Sequence, residues 1–129
     1  MPNILIVDDS RTTRMSYRET LESAGFRVDE ALNGLEGLEK TMMSTFDLVI
    51  VDINMPKMDG LTFLGELRRR AEVGSLPAIV ISTQDRPEDR AQAHAAGANV
   101  YFVKPIDPKA LVEYGRLMTG ERFPRGLSR

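Results

Sequence analysis

The sequence predicts a parallel α/β domain, one five-stranded sheet with helices on both faces, and three observations carry that prediction. The runs Ile4-Leu5-Ile6-Val7, Leu48-Val49-Ile50-Val51, Ala78-Ile79-Val80-Ile81 and Val100-Tyr101-Phe102-Val103 are continuous rather than alternating, as in strands buried on both faces. Segments with helical spacing separate them, and strands alternating with helices form a parallel sheet because right-handed crossovers must cover both faces. Finally, 129 residues are enough for one domain with a substantial core.

Taken in order, the first apolar run ends in Asp8-Asp9-Ser10, two acids and a capping hydroxyl at a strand exit. Residues 11–24 read as a helix with Tyr17, Leu21 and Ala24 on one stripe, stopped by Gly25. That stripe is thin. The segment Phe26 to Ala31 alternates and is placed at a sheet edge, and Asn33-Gly34 opens a helix with Leu35, Leu38 and Met42 inward. The run Leu48 to Val51 leads into Asp52, followed by turn formers at Asn54, Pro56 and Asp59-Gly60. A helix then runs to about Glu72 with Leu64, Leu67 and Ala71 inward, before Gly74-Ser75 and Pro77 break it. The strand ending at Ser82-Thr83 precedes a helix that has Pro87 in its first turn, Ala91 and Ala95 inward and Gly97 at its stop. The last strand exits at Lys104-Pro105, and Asp107-Pro108 start a helix to about Met118 with Leu111, Gly115 and Met118 on one side. Residues 1–118 make the domain; 119–129 have no periodicity and read as a tail or the start of a linker.

Composition narrows the function. A formal net charge of −2 argues against a nucleic-acid surface, and the basic run Arg68-Arg69-Arg70 reads as the solvated end of a helix. With no cysteine there is no disulfide framework and no thiol chemistry, which fits the cytoplasm. No apolar run approaches the roughly 20 residues of a membrane span, and the first strand starts too early for a signal peptide. The single histidine, His94, reads as a surface residue, and the methionines read as core filler rather than a metal site.

The chemistry collects at the strand exits. Asp8-Asp9, Asp52, Ser82-Thr83 and Lys104 are distant in sequence, yet in an open α/β sheet the carboxyl ends of the strands share one edge, where ligands bind. Three converging carboxylates repel one another unless a cation neutralises them, and oxygen donors without histidine or cysteine select magnesium or a similar hard ion. A lysine and a hydroxyl beside them complete a phosphate cradle. A carboxylate so presented acts as a nucleophile, and the inferred reaction is phosphoryl transfer onto Asp52.

Val7-Asp8-Asp9-Ser10, the stretch from Asp52 to Gly60, Ile81-Ser82, Ala96-Gly97-Ala98 and Val103-Lys104-Pro105 resemble, in order across residues 3–118, the receiver domain of bacterial two-component response regulators. The resemblance implies a flavodoxin-like sheet of order 2-1-3-4-5. It implies that Asp52 accepts phosphate from a histidine kinase, and that Asp9 and Asp52 bind magnesium directly with the backbone carbonyl of Asn54, Asp8 acting through water. Lys104 would contact the phosphate, Ser82 would move to bond it and Tyr101 would change rotamer. By the residues alone, Tyr101 reads as core. A cis Lys104-Pro105 bond is expected, and Asn54 and Gln84 lie where the family tunes the lifetime of the phosphate.

The resulting expectation is a receiver that binds a protein target when phosphorylated, either alone or as a module cut from a longer regulator with an output domain. A magnesium-dependent phosphohydrolase of the haloacid-dehalogenase type is a weaker alternative, because it needs an acid two residues after the nucleophile and this chain has Asn54. A nucleotide-binding module is disfavoured by the lack of a glycine-rich loop after the first strand. Arg86, Arg90 and His94, at i, i+4 and i+8, form an expected outward stripe that joins Tyr101 as the face presented to the target.

Overall fold

A computed structural model describes residues 1–120, so the tail or linker expected at 119–129 falls outside the described residues from 121 onward. The order is β1 (Asn3–Val7), α1 (Arg11–Ser23), β2 (Arg27–Ala31), α2 (Gly34–Met43), β3 (Leu48–Val51), α3 (Gly60–Arg68), β4 (Ala78–Ser82), α4 (Pro87–Ala96), β5 (Val100–Val103) and α5 (Pro108–Thr119). All the strand pairs are parallel, in the order β2-β1-β3-β4-β5. The edge position expected for the alternating segment is the one β2 takes. Register brings Val7 beside Ala31 and Val51, Val51 beside Val80, and Ser82 beside Val103, so the strand exits lie in one row.

The continuous apolar runs are explained by two cores, one on each face of the sheet. Ile4, Ile6, Leu48, Ile50, Ile79 and Ile81 pack with Tyr17, Leu21 and Leu111 from α1 and α5. The alternate residues Leu5, Val7, Val49, Val51 and Val80 pack with Leu38, Phe63, Leu64, Leu67 and Ala93 from α2, α3 and α4. Burial of each large aliphatic side chain contributes about 1.5–3 kcal/mol.

Several helix faces differ from expectation. Within α2, Leu35 and Met42 are exposed, and the buried stripe is Gly34, Gly37, Leu38 and Thr41. The reason is proximity: a Cβ at Gly37 would lie 3.0 Å from Phe63 Cε1 and 3.1 Å from Val7 Cγ2, so the helix sits on the sheet through its small residues. Helix α3 ends at Arg68 rather than near Glu72, Ala71 is exposed, and Phe63 joins Leu64 and Leu67 inside. There the Arg68 guanidinium donates to the carbonyls of Gly74 (3.0 Å) and Gly97 (2.6 Å), tying the turn after the helix to the end of α4. In α4 the inward residues are Asp89 and Ala93, with Ala96 partly buried, while Ala91 and Ala95 face out. Asp89 is turned in because it caps its own helix, accepting from the Arg86 N–H at 3.1 Å.

Candidate functional site

Two strand exits, those of β1 and β3, deliver the three acids. Asp8 follows β1 directly and is buried, its N–H donating to the Ala31 carbonyl of β2 at 3.1 Å. Its Oδ1 accepts from the Ser10 N–H at 2.9 Å, which folds the chain back into α1, where the Ser10 hydroxyl caps Thr13 N–H at 3.2 Å. Asp52 follows β3, 8% exposed, and its N–H donates to Val7 O at 2.9 Å. Asp9, next to Asp8, is exposed. One carboxylate oxygen from each of Asp8, Asp9 and Asp52 lies within 4.8 Å of the others.

Lys104 comes from the far edge of the sheet. Its N–H donates to Ser82 O at 2.7 Å, continuing the β4–β5 ladder past the end of the strands, and the Lys104–Pro105 peptide is cis. The ammonium reaches Asp8 Oδ2 at 3.3 Å and Asp52 Oδ1 at 3.5 Å. Burial, together with repulsion from Asp8, raises the Asp52 carboxyl to about pKa 6, and Lys104 pulls against that rise. Among the described residues, Lys104 by itself does not neutralise the three acids.

Ser82, fully buried, is near this group in the sheet but directed elsewhere: its hydroxyl accepts from the Gln84 N–H at 3.1 Å. Tyr101 is buried, and its hydroxyl donates to the Gln84 carbonyl at 2.7 Å. Gln84 is therefore bonded on its N–H side to Ser82 and on its carbonyl side to Tyr101. Arg90 lies over the Tyr101 ring at 5.1 Å, His94 Nδ1 is 3.0 Å from Ala98 O, and Arg86, Arg90 and His94 are all exposed on α4 or at its start. Asn54, two residues after Asp52, is exposed.

The loop behind Asp52 is held by glycine. A Cβ on Gly60 would collide with the Asp52 carbonyl oxygen, so the start of α3 lies against the backbone of the acid. Gly34 does the same for the loop, its N–H donating to Met58 O at 3.1 Å, and Lys57 takes a left-handed φ of 68°. One participant was not visible in advance. Arg14 is buried and donates to the Asp8 carbonyl at 2.6 Å; its signal was its place three residues before Tyr17 on the inward stripe of α1, where a long cation reads as exposed.

A five-stranded parallel sheet of order β2-β1-β3-β4-β5, with acids and a lysine gathered at its carboxyl edge, defines a flavodoxin-like α/β protein with a ligand site at the strand exits. The chain belongs to the response regulator receiver domain family, whose model matches residues 4–116. Among curated relatives it is 34% identical to protein PilH of Pseudomonas aeruginosa, over 88% of this chain and 93% of that protein. It is 36% identical to the probable transcriptional regulator ycf29 of Porphyra purpurea, over 85% of this chain but 53% of that protein, so it spans about half the length of that relative. In structure it is similar to the chemotaxis protein CheY4 of Vibrio cholerae, with a TM-score of 0.86 and 34% identity over 92% of this chain and 98% of that one.

Proposed function

We propose that this receiver takes a phosphoryl group from a histidine kinase onto Asp52, with magnesium, and signals by phosphorylation-dependent binding of a protein target. The observation that carries the reading is the Lys104 ammonium set 3.3 Å from Asp8 and 3.5 Å from Asp52, beside a third acid. In the transfer, an Asp52 carboxylate oxygen forms the new bond to phosphorus as the phosphorus–nitrogen bond of the donor histidine breaks, and the imidazole keeps that electron pair. Lys104 holds positive charge where the phosphoryl oxygens arrive. Ser82 exchanges its bond with Gln84 for one to the phosphoryl group, and Tyr101 responds through the same residue.

The donor set fits magnesium, since it is all oxygen and its carboxylates are too many for one lysine to neutralise. Asp9, Asp52 and the Asn54 carbonyl would hold the ion, with Asp8 acting through water. Bound there, the ion neutralises charge on the acids and on the incoming phosphoryl oxygens. Asn54 and Gln84 tune the lifetime of the acyl phosphate. The chain supports its own phosphorylation and slow dephosphorylation rather than turning over a separate substrate; the phosphohydrolase alternative still lacks its second acid.

The target face is assigned to Arg86, Arg90, His94 and Tyr101. Residues 1–118 form the receiver, with the remainder a tail or linker, in the cytoplasm. No helix among the described residues is long and apolar enough to cross a membrane. A module of a longer regulator is the second reading, favoured by the length of ycf29. The deciding experiment treats the chain with acetyl phosphate and magnesium and measures intact mass: one phosphoryl group is expected, lost in hydroxylamine. Labelling of Asp52→Asn at the level of the unaltered chain sinks the reading.

A further inference from the structure

We infer that Arg14, oriented by Glu30, is a positioning residue for the acidic pocket: its guanidinium fixes the Asp8–Asp9 peptide and thereby the direction of the Asp9 carboxylate. The inference rests on the reading of that pocket as a divalent-cation site. A buried guanidinium is expensive unless its donors are used. Arg14, 6% exposed, uses them on two targets: Nε donates to Glu30 Oε1 at 2.8 Å and the terminal nitrogen to Asp8 O at 2.6 Å. Glu30 is itself held from outside, its other oxygen accepting from Arg18 at 2.6 Å.

The Asp8 peptide units are thus gripped on both sides. The Asp8 N–H is tied to β2 through Ala31, its carboxylate oxygens are engaged by Ser10 N–H and Lys104, and its carbonyl is engaged by Arg14. That carbonyl belongs to the same planar peptide as the N–H of Asp9. Asp9 is exposed, so the aim of its carboxylate depends on the backbone beneath it rather than on packing. Rotation of this peptide would swing Asp9 away from Asp52. Arg14 also lies on α1 one turn after the Ser10 cap, its own N–H donating to Ser10 O at 3.0 Å, so the helix and the acidic loop are braced as one unit.

The test is magnesium titration of the full chain by calorimetry, which needs no phosphorylation. Arg14→Met keeps the apolar stem and removes the donors; it should bind magnesium about tenfold more weakly, the range found when partners that orient metal ligands are lost. In magnesium-free protein the Asp8 carbonyl carbon resonance should move upfield as its hydrogen bond is lost. Arg14→Lys should restore part of the affinity, because an ammonium reaches one of the two oxygens but lacks the fork. Phe26→Leu, a core change at the opposite end of the strands, controls for stability and should leave magnesium affinity unaltered. Unchanged affinity in Arg14→Met, or equal weakening by Phe26→Leu, overturns the inference. Should Arg14→Met fail to fold, unchanged affinity in Arg14→Lys overturns it equally. A chain that binds magnesium in this Arg14-dependent way yet takes no label at Asp52 refutes the phosphoacceptor reading alone.

Discussion

Asp52 is held in a position that opposes its own charge. Burial and the neighbouring Asp8 raise its pKa to about 6, so the folded protein binds this proton more tightly than the unfolded chain does. The stabilisation from that proton is complete below the unfolded value near 4 and is lost as pH rises through about 6. At neutral pH the carboxylate is therefore a net burden on the fold. Asp52→Asn removes the charge and keeps the shape, while Lys104 retains Asp8 as a partner. Without magnesium it should raise stability at pH 7 by roughly 1–3 kcal/mol, taking each pKa unit as about 1.4 kcal/mol. The gain should shrink towards pH 4. Thermal unfolding at the two pH values checks this; a gain that is larger at pH 4 contradicts the electrostatic account. Such acids were legible in the sequence because Asp8 and Asp52 stand directly after fully apolar runs, where a carboxylate has no packing role, and Asp9 follows Asp8 at the same exit. Arg14 was not, since nothing in its neighbours shows that a cation is wanted inside; that demand comes from Glu30 and the Asp8 carbonyl, which only the fold brings near.

At the scale of elements, strands were easier to read than helix faces. A run such as Leu48 to Val51 must be buried whichever way its side chains alternate, and all of it is. A helix face depends on how closely the helix approaches the sheet. For α2 the approach is set by Gly34 and Gly37, so Leu35 and Met42 are left outside while Leu38 goes in. The same geometry separates two glycine substitutions that helix propensity alone treats alike. Alanine is favoured over glycine inside a helix by about 1 kcal/mol. At Gly65 in α3 a Cβ meets nothing within 4 Å, so Gly65→Ala should gain up to about that amount. At Gly37 the Cβ would press on Phe63 and Val7, both fully buried and unable to swing clear. Overpacking of this kind costs about 1–3 kcal/mol, so Gly37→Ala should be net destabilising by up to about 2 kcal/mol. Urea unfolding of the two variants decides it, and the same sign in both would show that close approach does not govern α2.

Across the whole molecule, the parallel register places every chemical group at one edge, and the remaining question is how an event there reaches a surface. Gln84 supplies a route made of two bonds. Its N–H is held by the Ser82 hydroxyl and its carbonyl holds the Tyr101 hydroxyl, so it spans from the pocket to the α4–β5 face. On the proposed reading, Ser82 turning to a phosphoryl group would break the first bond and release the loop after β4. Tyr101 would then lose a fixed acceptor, and Arg90, stacked over its ring, would be free to move with it. A neutral hydrogen bond contributes about 1 kcal/mol net, enough to shift a two-state balance about fivefold but not to throw it completely. Beryllofluoride with magnesium, as a phosphoryl mimic, should therefore perturb amide resonances across residues 82–103 and along α5 more than across residues 11–45. Tyr101→Phe removes the second bond in advance, so its mimic-free spectrum should already lie part of the way towards the loaded one at residues 85–96. Perturbation confined to the immediate surroundings of Asp52, or a Tyr101→Phe spectrum indistinguishable from the unaltered chain in α4, would remove both the Gln84 route and this face as the output surface.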